Sequence, residues 1–86
     1  AVSMVDIVDI RVSPNPTREV LNISISEERL GDWTYRILNE LGMVVQRGEV
    51  VTEQSSIKVD DLEAGLYYVV FYVDNELKES IQIIKQ

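Results

Sequence analysis

Two prolines flanking an asparagine, Pro14-Asn15-Pro16, constrain this chain more than any other stretch in it. Each pyrrolidine ring holds its own φ near about −65° and removes a backbone donor, so the stretch can be neither helix interior nor central strand. Ser13 and Asn15 each precede a proline and are pushed toward extended conformations. Residues 12–17 therefore read as a stiff connector that stops one apolar segment and launches the next. The segment before it, residues 7–12, is rich in β-branched residues and predicts a first strand ending at Ser13. After it, Leu21, Ile23 and Ile25 point one way while Val20, Asn22 and Ser24 point the other, the period of two of a half-buried strand.

The same alternation returns further along. Charges and a glycine in residues 27–32 break the pattern and predict a surface loop with at most one helical turn. Trp33, Tyr35 and Ile37 then share one face of a strand over 33–39. Asn39 to Gly42 predicts a tight turn whose glycine takes a positive φ. The returning strand covers 43–51, and Gly48 inside it predicts a bulge or bend. Residues 52–55 are polar and loose, followed by a short strand at 56–59 with Ile57 and Val59 inward. Leu62 extends that inward set across a connector at 60–65. Residues 66–73 are apolar or aromatic on both faces, which predicts a central strand. Asp74-Asn75 turns the chain, and 76–86 runs back antiparallel. No segment has a helical period. About seven short strands separated by turn signals predict an all-β fold, an immunoglobulin-like antiparallel β-sandwich.

With 86 residues and 45% of them hydrophobic, the chain suits one small packed domain that buries about 60% of its unfolded surface. No apolar run reaches the roughly 20 residues of a membrane helix, so no membrane insertion is expected. Eight basic residues face fifteen acidic ones, a net charge of −7. Without a basic cluster, a nucleic-acid partner is not expected either. The chain has no cysteine and no histidine, which removes disulfides, thiolate zinc sites and the commonest general base.

Asp60, Asp61 and Glu63 form the densest acidic group, and they read as solvated turn carboxylates because the spacing of a calcium loop is missing. No serine sits in a nucleophile-elbow or Ser-x-x-Lys context. The expectation is a domain that is not an enzyme and carries no metal or cofactor. Asn22-Ile23-Ser24 fits a glycosylation sequon but lies in mid-strand. Trp33, Tyr35, Tyr67, Tyr68, Phe71 and Tyr72 read mostly as core rather than as a sugar-stacking platform.

Taken in order, these pieces resemble a known family, the C-terminal sorting domain of the type IX secretion system. Its opening motif is matched by Pro14-Asn15-Pro16-Thr17 followed by Leu21-Asn22-Ile23. Its middle motif, a strand and a turn ending in glycine, is matched by residues 35–45 around Gly42. Its late motif is matched by Leu62-Glu63-Ala64-Gly65-Leu66-Tyr67, and Lys85 supplies the closing lysine. Two departures are visible: Asn39 stands where aspartate is usual, and Gln82 where many members have lysine.

The resemblance implies an address rather than an activity. Residues 7–86 would form the sorting domain, and residues 1–6 a linker from a covalently attached N-terminal cargo. The partners it implies are a type IX translocon in the outer membrane and a surface sortase-like peptidase that removes the domain as the cargo is anchored. The route runs through the periplasm to the cell surface or the medium, and the isolated domain is expected to be monomeric. The last strand, 81–85, has no downstream strand to pair with, so a partner strand adding to its edge is one expected mode of recognition. The alternative function is an accessory immunoglobulin-like module that binds carbohydrate or protein, or spaces an enzyme from the surface.

Overall fold

The computed structural model describes residues 9–26 and 33–86. Seven strands form it: β1 (Asp9–Ser13), β2 (Val20–Ser26), β3 (Trp33–Leu38), β4 (Val44–Val50), β5 (Gln54–Lys58), β6 (Gly65–Val73) and β7 (Glu76–Lys85). They make two antiparallel sheets, ordered β1-β2-β5 and β4-β3-β6-β7. The result is the expected immunoglobulin-like sandwich, with the fourth strand joined to β3 rather than to the three-stranded sheet as in the constant-type arrangement. The start of the first predicted strand at Ile7 and Val8 and the predicted loop at 27–32 lie outside the described residues.

The alternation in the sequence becomes the core. Leu21, Ile23 and Ile25 of β2 meet Trp33, Tyr35 and Ile37 of β3 and Val69 and Phe71 of β6 in one apolar cluster, joined by Ile57, Val59 and Ile83. Each such side chain contributes about 1.5–3 kcal/mol by leaving water. β6 lies between β3 and β7, central as its two apolar faces predict. Leu62 is partly buried against the same cluster. Gln54 and Ser55, read as loose, already belong to β5, because Ser24 and Ile23 of β2 offer them ladder partners.

Gly48 does not mark a bulge. It pairs in regular register with Tyr35, while the extra residue on β4 is Val45, between the pairs Ile37–Gln46 and Leu38–Val44. What Gly48 supplies is room: a Cβ there would stand 2.8 Å from Cε2 and 2.9 Å from the hydroxyl of Tyr35. The Tyr35 ring lies over the glycine, and Gln46 Nε2 donates to its hydroxyl at 3.4 Å. Gly48→Ala is expected to cost about 1–3 kcal/mol through overpacking. Urea unfolding should show that loss, and the loss should shrink in a Tyr35→Leu background where the ring no longer fills the space.

Candidate recognition site

The connector after β1 lies along the outer edge of β7. Both its X-Pro bonds, Ser13-Pro14 and Asn15-Pro16, are cis. Between the prolines, the Asn15 carboxamide takes the place of a strand residue. Its Nδ2 donates to the Gln82 carbonyl at 3.1 Å, and its Oδ1 accepts from the Ile84 N–H at 3.0 Å. Thr17 continues the ladder in parallel sense: its N–H donates to the Ile84 carbonyl and its carbonyl accepts from the Gln86 N–H, both at 2.8 Å. Thr17 is buried, and its hydroxyl donates to the Val20 carbonyl at 2.7 Å, which turns the chain into β2. Arg18 Nε reaches the Gln86 side chain at 3.3 Å.

The reason for an asparagine is chemical. Proline cannot donate, so two neighbouring prolines leave the connector short of backbone donors where an open strand edge needs partners. A carboxamide carries one acceptor and one donor group at the right separation to replace a peptide unit. Lys85 lies at the same junction. Its stem is buried among the inward residues of β7, and its Nζ donates to the Gln86 carbonyl at 3.0 Å.

The late motif is a second structural device. The Tyr67 hydroxyl donates to the Glu63 carbonyl at 2.7 Å, four residues upstream, and so fixes the corner between β5 and β6. This is the arrangement of the tyrosine corner of immunoglobulin-like sandwiches. The Leu62 N–H donates to the Val59 carbonyl, and Gly65 takes a φ of 156° as the chain enters β6. In the middle motif Gly42 has the positive φ of 83° that its turn requires. Asn39 Oδ1 accepts from the N–H groups of Leu41 and Met43. An aspartate would offer the same acceptor, so that departure from the family leaves the turn intact. Gln82 engages the connector through its backbone, so its side chain is free to vary.

The sheet registers bring the motifs together. Leu38 pairs with both Val44 and Tyr68, Tyr68 pairs with Gln82, and Gly65 pairs with Lys85. The Gly42 turn, the start of β6 and the Pro14-Asn15-Pro16 junction with β7 therefore occupy one end of the four-stranded sheet. Of the other signature residues, Leu21 and Ile23 are fully buried in the core. The first described residue, Asp9, pairs with Ser26, at the end of the three-stranded sheet away from Val20. Asp9 thus lies at the end opposite the signature.

One expectation changes. β7 is an edge strand as expected, but the connector already occupies its last residues, and the extra residue Lys78 bulges its first half between the pairs Phe71–Glu79 and Tyr72–Leu77. Bulges and edge lysines are devices that hinder strand addition. Most of the aromatic side chains are core, as expected: Trp33, Tyr35, Tyr67 and Phe71 are buried, leaving Tyr68 and Tyr72 on the outer face. Asp60 and Asp61 lie in the turn after Val59 and Glu63 just beyond it, all three exposed, and no group of three or more acidic side chains converges among the described residues.

Asn15→Ala removes both bonds to β7 at an exposed site, so a loss of about 1–2 kcal/mol is expected. Hydrogen exchange at Ile84 should accelerate in that variant. Asn15→Asp keeps the acceptor, so the Ile84 amide should stay protected in it while the Gln82 carbonyl loses its donor.

The sequence model of one family, described as the secretion system C-terminal sorting domain, matches residues 11–86. Searches of curated proteins and of solved structures yield no match. The matched span reaches into all seven strands and holds every signature motif, so the chain belongs to the family of type IX secretion system C-terminal sorting domains.

Proposed function

We propose that this domain is a non-catalytic export signal for a cargo protein attached ahead of it. The type IX translocon reads the folded domain and carries the cargo from the periplasm across the outer membrane to the cell surface or the medium. A surface peptidase of sortase-like activity then cuts in the linker of residues 1–6, joins the cargo to its anchor and releases the domain as a monomer. The observation that carries this reading is the family match over residues 11–86, which reaches into every strand of the sandwich. The geometry supports it, because the motifs gather at the end of the four-stranded sheet remote from Asp9. A cargo held at one end leaves the signature end open to a receptor.

The test is a fusion of this chain behind an exported fluorescent protein, in hosts with and without the secretion machinery. Fluorescence should reach the surface only where the machinery is present. Asn15→Ala separates two ways in which the signature could act. If export falls in proportion to the measured loss of stability, the motif serves the fold; if export is lost from a domain that remains folded, the translocon reads the junction itself. Deleting residues 80–86 removes Ile81, Ile83 and Lys85 together with the partners of Asn15 and Thr17, and should leave the reporter in the periplasm. Normal delivery of that truncation would overturn the proposal.

A further inference from the structure

The outer face of the four-stranded sheet departs from the usual pattern of an antiparallel sheet with one solvated side, which is polar outward. Residues paired across strands share a face, and the registers give its rows. One row is Val44, Leu38, Tyr68 and Gln82. The next is Arg47, Arg36, Val70 and Ser80. The third is Glu49, Thr34, Tyr72 and Leu77. All lie opposite the core set of Trp33, Tyr35, Ile37, Val69 and Phe71. Val70 is nevertheless only 7% exposed, shielded by its neighbours, while Val44 and Leu77 are 48% and 59% exposed. The face is continuous with the signature end, where Leu41, Met43, Val45 and Ile84 also expose apolar surface.

In the middle of this apolar face two arginines stand directly opposite each other, Arg36 on β3 and Arg47 on β4. Like charges at such a pair oppose sheet formation. Arg36 stacks over the Tyr72 ring at 4.5 Å, and neither guanidinium meets a carboxylate among the described residues. In a chain with fifteen acidic residues, the one acid in these rows, Glu49, makes no ion pair with either. A planar guanidinium with free donors is suited to hold a carboxylate in bidentate fashion. A membrane surface fits less well, since anionic lipid recognition uses clusters of four to eight basic residues and this chain is strongly acidic.

We propose that the outer face of the four-stranded sheet is a docking surface for a partner protein that places a carboxylate between Arg36 and Arg47 and aliphatic side chains over Tyr68, Val70 and Tyr72. The proposal rests on the export reading and identifies the partner's contact chemistry as acidic and apolar, presented by the secretion machinery. The opposed arginines are the cost in stability that this contact repays.

The test uses the same fluorescent fusion in the host with the machinery. Arg47 is exposed, so Arg47→Glu folds, and it turns an opposed like-charge pair into an opposite-charge pair. Its thermal midpoint should be equal to or above that of the parent, while surface delivery falls about tenfold or more, as expected for reversing one member of an interfacial charge pair. Lys58→Glu, on the other sheet, makes the same change in net charge and should leave delivery unaltered. Arg36→Glu should repeat the Arg47→Glu result. Parental delivery by a folded Arg47→Glu fusion, or an equal loss in Lys58→Glu, overturns the docking surface and leaves the export reading standing. Failure of the parent fusion to reach the surface overturns both. Binding of the parent chain to phosphatidylglycerol vesicles that Arg47→Glu abolishes would replace the protein partner with a lipid. A concentration-dependent dimer in sedimentation that Arg47→Glu disperses would replace it with a second copy of this chain.

Discussion

The ladder between the connector and β7 is the interaction on which the arrangement of the two sheets depends. Among the described residues, the backbone bonds of Thr17 to Ile84 and Gln86 are the ones that join the chain leaving the three-stranded sheet to the edge of the four-stranded sheet. Apolar burial brings the sheets together, but burial is not directional. Hydrogen bonds between fixed backbone groups set where one sheet stops along the other. Asn15 adds a third and fourth bond at no cost in backbone donors, because its side chain supplies what the flanking prolines withhold.

This arrangement gives the scattered signature one physical meaning. Pro14-Asn15-Pro16 closes an edge, Tyr67 ties the corner before β6, and Asn39 with Gly42 closes the hairpin of β3 and β4. All three are terminations: each satisfies polar groups where a strand ends. A sandwich of this size has a thin core, and frayed strand ends would open it to water. Motifs that look like a recognition code are thus first a set of seals, and the surface they hold in place includes the apolar outer face with its opposed arginines.

Much of the fold was legible because sheets leave a periodic trace. The alternation over Leu21, Ile23 and Ile25, and over Trp33, Tyr35 and Ile37, identified both faces of β2 and β3, and the doubly apolar run of β6 marked it as central. Gly48 misled because a missing side chain in a strand has two causes, an extra residue or a close neighbour, and only the Tyr35 ring decides between them. The junction of Asn15 with β7 left little trace, since its partners are 67 and 69 residues away and bind through backbone groups common to every residue. One signal pointed toward it: a carboxamide between two residues that cannot donate, in a chain whose last strand needs a neighbour. The outer face was half visible: both faces of β6 were read as apolar, but the run alone does not show that only the flanking strands lie beside its outward residues.

The Thr17 ladder also carries a consequence for biosynthesis. A chain made from its amino end holds residue 17 long before residues 84 and 86 exist, and domains form as units in the order they emerge. Closure by such distant pairing is slow compared with local structure. The junction is therefore completed only on molecules whose synthesis has passed residue 86, after everything ahead of the domain has been made. A prematurely terminated product lacks the strand that Asn15 and Thr17 grip. Any receptor that depends on the closed junction would accept molecules translated through residue 86 and pass over shorter ones, which makes the grip a gauge of how far synthesis has run as well as an element of the fold.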